Sequence, residues 1–269
     1  MSVVWGLLAV YVTCEMWRTI LRGLGAPAPF RQSSKVFFVS QLGKYLPGSV
    51  WPVLAQMEYG RRTHTGRKTM LAANALTVAL SLAAGLIVAA GCLPFAGAAG
   101  LHRYWWAFAC LPLLLGLLHP KSVPGLLNLI FTRLGREPMD SQLSWSTVVR
   151  ATGWALLSWL FFGLHLLALV NGVGVHGWHV AAASIGGFAL AVSAGILFIP
   201  APAGAGVRDA VLIAALGAVL GSGTAVAVGL VSRVVLIVVD LMLAAGFGLA
   251  SGPLRTSPAD IENSVPEDR

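Results

Sequence analysis

The chain has 269 residues, of which 57% are hydrophobic and 10% charged, with a formal net charge of +8 and a mean hydropathy of +0.80. A water-soluble domain cannot hide that much apolar surface in one core, so composition excludes a soluble globular protein and indicates a polytopic membrane protein. Nine of the 18 Lys and Arg lie between Arg18 and Lys68, a clustering that reads as cytoplasmic retention beside anionic headgroups rather than as nucleic-acid binding.

Residues 1–21 form an apolar segment carrying Glu15, Trp17 and Arg18 towards its end. A cleaved signal peptide would begin with positive charge, and none precedes Arg18, so this segment is expected to remain as a span. Arg22, Arg31 and Lys35 follow and place the next link inside, with the N-terminus outside. Residues 36–59 are apolar enough for a bilayer but are interrupted by Lys44, Tyr45, Leu46, Pro47 and Gly48. Proline removes a donor and glycine frees the dihedrals, so one helix is expected to stop at Leu46 and another to start near Ser49. Such a break is tolerated in hydrocarbon only inside protein or beside a water-filled cavity, which predicts a re-entrant hairpin; the other reading is an ordinary helix kinked at proline. Gly48 and Gly206 are expected to be the glycines least tolerant of valine.

Residues 60–69 read GRRTHTGRKT. Five residues rather than four separate Gly60 from Gly66, Arg67 replaces the lysine, and no strand precedes, so this is no phosphate-binding loop but a basic cytoplasmic one. The hairpin then enters and leaves by one face. Residues 70–91 suffice to cross about 30 Å of hydrocarbon. Pro94, Gly97 and Gly100 mark an outer loop reaching Arg103, Trp105 and Trp106 mark an interface, and 107–118 return inside through a short span. Lys121, Arg133, Arg136 and Arg150 stand on that inner side, where 123–134 have the pattern of an interfacial helix.

Residues 151–170 lead outward to a loop, 171–179, that lacks Lys and Arg. His176 and His179 have a spacing that can share a metal on a helix, but Gly174 and Gly177 argue against a helix there, so a surface loop is expected and no metal site. The chain then dives in through Ser193, Gly195 and Phe198, breaks at 200–206, continues over 207–220, turns at 221–223 and ends in a span over 225–250. The three cysteines, Cys14, Cys92 and Cys110, lie in or beside apolar runs without CxxC spacing and read as packing residues. One integral membrane domain over 1–252, with re-entrant elements at about 36–59 and 193–220, and a disordered polar tail over 253–269 complete the expected organisation.

The two breaks correspond. Residues 40–50, SQLGKYLPGSV, and 193–207, SAGILFIPAPAGAGV, share a serine, an apolar arm, a proline, a glycine break and a second arm. The first hairpin begins and ends inside and the second outside, an inverted pair that would form a substrate site near the midplane; the alternative is two unrelated kinks.

The stretch SQLGKYLPGSVWPVL together with IPAPAGAGVRDAVL resembles the membrane region of lysylphosphatidylglycerol synthases and the stand-alone flippase-like proteins related to it. There a YLPG-type motif precedes a PxxxGxR-acidic motif. The resemblance covers most of the chain and implies a bacterial or archaeal membrane protein that moves or handles charged or isoprenoid-linked lipids. Two departures stand out: one fewer N-terminal span than is usual, and Asp209 where Glu is expected. No aminoacyl-transferase domain follows the last span in this sequence, so lysyl transfer is not expected to carry over from the resemblance.

The membrane-embedded chemistry is cationic and sparse. Lys44 stands before the first break, Arg208 after the second, and Arg233 inside the last span, where an ionisable group normally faces a cavity or a partner. These three can bind a lipid phosphate, helped by backbone N–H groups at Gly204 and Gly206 where a helix begins. Tyr45, Pro47, Gly48 and Pro202 at the breaks, with Asp209, complete the candidate substrate-binding set. The structural alternatives are that Asp209 caps its helix or pairs with Arg208, that Arg233 pairs with Asp240 or Glu15, and that Lys44 snorkels to the interface. No nucleotide-binding motif is present, so transport would be downhill or coupled, with Glu15, Glu58, Asp209 and Asp240 the candidate proton carriers.

The expected fold is an all-α polytopic transmembrane helical bundle with two opposed re-entrant elements. The expected function is lipid translocation or binding in the plasma membrane, without cofactor or catalytic residue. Rival readings are a membrane-embedded transferase using a lipid-phosphate donor, against which the carboxylates stand far apart in sequence, and a non-transporting accessory subunit. The expected partners are membrane lipids, with a second copy of the chain or a lipid-pathway enzyme as the further candidates, and no nucleic acid. Gly217 with Gly221, and Gly248 with Gly252, supply small-residue faces for a homo-oligomer or for packing within one chain.

Overall fold

In the computed structural model, the described residues are 1–45, 51–62, 65–96, 125, 132, 143–198, 204 and 206–250. They are helical throughout apart from short connections. The helices are α1 (Ser2–Gly23), α2 (Phe30–Gln41), α3 (Trp51–Arg62), α4 (Arg67–Cys92), α5 (Trp145–Gly172), α6 (Trp178–Leu197), α7 (Val207–Leu220) and α8 (Ser222–Ala250). Short 3-10 turns, Leu42–Tyr45 and Leu93–Phe95, follow α2 and α4.

Among the described residues, five stretches are long and apolar enough to cross a membrane: Ser2–Gly23, Arg67–Phe95, Trp145–Gly172, Trp178–Leu197 and Ser222–Leu249. In hydrocarbon a helix satisfies its backbone internally, so apolar residues on every face are compatible with a span. The protein is therefore an integral membrane protein of the all-α class. The expected short span at 107–118, the interfacial helix at 123–134, and the tail fall largely or wholly outside the described residues.

Two pairs of spans, α1 with α5 and α4 with α6, pack antiparallel. Ser2 at the start of α1 touches His165 late in α5, and Gly23 at the other end of α1 lies against Thr147. Phe95, just past α4, meets His179 at the start of α6, while Gly85 faces Ser193. Small residues set the closest approaches. A Cβ on Gly163 would lie 2.7 Å from the Ile185 Cα, so a larger residue there must separate α5 from α6.

Several boundaries differ from expectation for identifiable reasons. Helix α5 starts six residues earlier, because the Ser144 hydroxyl accepts the Thr147 N–H at 3.3 Å as an N-cap. Arg150 is thus helical. Helix α6 starts at Trp178 after Gly177 at φ +132°, so His179 lies in its first turn, donating from Nδ1 to the Phe95 carbonyl 3.1 Å away. His176 stays in the preceding loop. Helix α8 starts at Ser222 rather than at 225.

Helix α2 begins at Phe30, after Pro29 in extended conformation, and Arg18 holds that start. Its Nε donates to Ser33 Oγ at 2.9 Å, Nη2 to the Ala28 carbonyl at 3.1 Å, and Nη1 to Glu15, with the guanidinium over the Phe30 ring. Arg18 is 7% exposed, and burying a guanidinium this deeply requires such full pairing.

On a background lacking the native cysteines, Lys68→Cys and His176→Cys should label from opposite sides of the membrane in intact cells. Labelling of both from one side would break the inside–outside assignment of the loops.

Candidate functional site

Two helical hairpins converge on α8. In the first, α2 and α3 run antiparallel: Gln56 Nε2 donates to Ser40 Oγ at 3.0 Å, and a Cβ on Gly43 would lie 2.8 Å from that of Trp51. The closed end of this hairpin therefore lies near Tyr45 and Trp51. In the second, α6 and α7 run antiparallel, with Gly187 against Ala215 and Gly195 against Gly204. Pro47, Gly48 and Pro202 lie outside the described residues.

Helix α8 serves as a ruler for the two ends. Lys44 Nζ is 2.7 Å from Asp240 Oδ2, and the Tyr45 hydroxyl donates to the same oxygen. Arg233 Nη1 is 2.6 Å from Asp209 Oδ2. Seven residues separate Asp240 from Arg233, about 10 Å along a helix axis. The first hairpin comes up from the C-terminal part of α8, where Phe30 and Phe38 pack on Phe247. From Arg233, α7 runs towards the N-terminal part, ending at the Gly221 turn. The two closed ends thus approach each other along one helix.

The charges between them are unequally satisfied. The Asp209 carboxylate holds Arg233 and also accepts the Gly206 N–H at 3.1 Å, capping its own helix. It does not pair with Arg208, and Arg233 does not pair with Asp240 or Glu15, as the sequence left open. The Gly206 donor is taken by this cap. Gly204, at φ +68°, is packed against Gly195. Arg208 stacks over Phe188, 5.1 Å from the ring centre, and has no ion pair or hydrogen bond among the described residues. It remains within electrostatic reach of Arg233, Asp209, Tyr45 and Asp240. The Tyr45 hydroxyl acts as a neutral donor to the Asp240 carboxylate.

Lys44, Arg208 and Arg233 against Asp209 and Asp240 leave one net positive charge. Lys44 is 35% exposed and Asp240 1% by side chain, so Lys44 is tied to a buried carboxylate rather than simply snorkelling. Of the other candidate proton carriers, Glu15 pairs with Arg18 and Arg22 on α1, and Glu58 lies seven residues beyond Trp51, towards the open end of the hairpin. Neither joins the cluster in the described contacts.

His165 was not among the candidates. Fully buried, its Nε2 lies 3.0 Å from Ser232 Oγ, beside Arg233, and its Nδ1 lies 2.7 Å from Ser2 Oγ. Its ring meets Phe188 edge-on at 6.2 Å, and Phe188 carries Arg208. An ionisable residue amid an apolar span was the available signal. It links the chain's first residues to the seats of both arginines.

Among the described residues no group of three His, Cys, Asp or Glu could hold a metal ion. No curated protein matches the chain, and no solved structure does. The model of the lysylphosphatidylglycerol synthase TM region matches residues 1–244, most of the chain, and the protein belongs to that family.

Proposed function

We propose that this protein binds and translocates an anionic phospholipid or an isoprenoid-linked lipid, holding the headgroup phosphate between the two hairpins at Arg208. The observation that carries this reading is the Arg208 guanidinium, left without an anionic partner while every neighbouring charge has one. A guanidinium presents a planar fork of donors that matches phosphate oxygens, and in a low-dielectric setting an unpaired one favours an anion strongly. Lys44 and Arg233, each part-exposed, stand ready to share the phosphate.

The surroundings suit an amphiphile rather than free phosphate. Helix α8 exposes Leu230, Val234, Val238 and Leu241 beside the charged residues, so lipid chains can stay in hydrocarbon while the headgroup enters. The two hairpins are taken as re-entrant, with Lys44, Tyr45 and Arg208 near the midplane, and the plasma membrane as the location. Interrupted helices at that depth are a recurrent way of building a transport site.

Reconstitution tests this. Vesicles of phosphatidylcholine carrying a trace of headgroup-quenchable fluorescent phosphatidylglycerol or prenyl phosphate should equilibrate label between leaflets faster with the protein than without. Exchange no faster than in empty vesicles, for both labels, would refute translocation.

A further inference from the structure

We infer that Asp240 is a built-in counter-ion that the substrate phosphate displaces from Lys44, and that each headgroup bound places one proton on Asp240. The inference rests on the proposed headgroup site and specifies how that site is coupled. Asp240 Oδ2 accepts from both Lys44 and Tyr45, whereas Oδ1 is buried without a hydrogen-bond partner among the described residues. The carboxylate therefore occupies the place of an anion facing Lys44.

When a phosphate arrives, the more exposed partner is the one that can move. Lys44 swings from Oδ2 to a phosphate oxygen, and Asp240, 1% exposed by side chain, is left with only the neutral Tyr45 hydroxyl. A buried carboxylate without a counter-charge takes a proton instead of remaining ionised. A proton from water binds Oδ1 while Oδ2 keeps the Tyr45 bond. The phosphodiester stays ionised at neutral pH, so the proton does not go to the ligand. No bond to carbon or phosphorus is made or broken.

The other charged groups around Asp240 leave this assignment intact. Helix α7 brings Arg208 and Asp209, α8 itself Arg233, and α5 His165 through Ser232. Helices α2 and α1 bring apolar contacts, Phe30 and Phe38 on Phe247 and Gly6 beside Leu236 and Val239. Asp209 is 31% exposed and keeps the Gly206 N–H, so it tolerates losing Arg233 without protonation. Proton uptake on loading would let a proton gradient drive lipid movement in a chain that carries no nucleotide-binding motif.

Calorimetric titration of the detergent-purified protein with dihexanoylphosphatidylglycerol, in two buffers of different ionisation enthalpy, reports binding and proton uptake together. The wild type should take up about one proton per ligand, and affinity should rise by up to about tenfold per unit fall in pH. Asp240→Asn should bind with uptake near zero. Lys44→Gln, in which Asp240 has already lost its counter-charge, should bind more weakly and also without uptake. Binding by the wild type with no proton uptake, or undiminished uptake by Asp240→Asn, would overturn the counter-ion role alone. Absence of wild-type binding would overturn both this role and the headgroup site.

Discussion

Arg208→Gln should lower lipid transport by about 10- to 100-fold, the loss expected from removing one charged hydrogen-bond pair to phosphate. Its melting temperature in detergent should fall only slightly. No carboxylate is stranded by the change, since Asp209 holds Arg233 and Asp240 holds Lys44. What the fold loses is the stacking on Phe188, about 0.5 to 2 kcal/mol for a cation over an aromatic face. Arg208→Lys should recover part of the transport, because it restores the charge without the planar fork. Aggregation or a large drop in melting temperature for Arg208→Gln would mean that the guanidinium serves the fold.

Gly204→Val should be the most damaging single glycine replacement among the described residues of the second hairpin. The backbone at Gly204 has φ +68°, and a Cβ there would lie 2.7 Å from the Gly195 Cα. The obstacle is backbone, so no flexible side chain can yield. Strain in the left-handed region costs about 1 to 3 kcal/mol, and forcing the two arms apart about 1 to 3 kcal/mol more. Gly206 also has a positive φ, +84°, but open space where its Cβ would point, so Gly206→Val meets the strain alone. Thermal melting should therefore rank Gly204→Val below Gly206→Val, against the sequence expectation that placed Gly206 first. The reverse order would show that the Gly195–Gly204 contact does not hold the hairpin together.

The membrane class was legible because hydropathy is a sum over many residues. Runs of Leu, Ala, Val and Gly with almost no charge admit little else. The end of one helix at Leu197 and the start of the next at Val207 were legible because Pro and Gly act locally, and Lys44, Tyr45, Arg208, Asp209, Arg233 and Asp240 do converge on one stretch of α8. The first break, at residues 46–50, lies outside the described residues. Their pairing was not legible. Whether Asp209 meets its neighbour Arg208 or the distant Arg233 depends on how α7 lies against α8, which adjacency in sequence does not reveal. His165 was missed for a related reason: a lone histidine in an apolar run acquires meaning only when Ser2, Ser232 and Phe188 are brought round it. The helix starts at Phe30 and Trp145 were also displaced, the first held by tertiary contacts of Arg18 and the second by a serine cap in a polar stretch.

The most direct measurement is the position of a lipid phosphate in the protein itself, by single-particle structure determination in nanodiscs of phosphatidylglycerol. The account predicts a phosphate within hydrogen-bond distance of the Arg208 guanidinium, between the two hairpin ends, with its chains along the exposed face of α8. Headgroups confined to the membrane surface, with Arg208 closed off by a protein carboxylate, would contradict it.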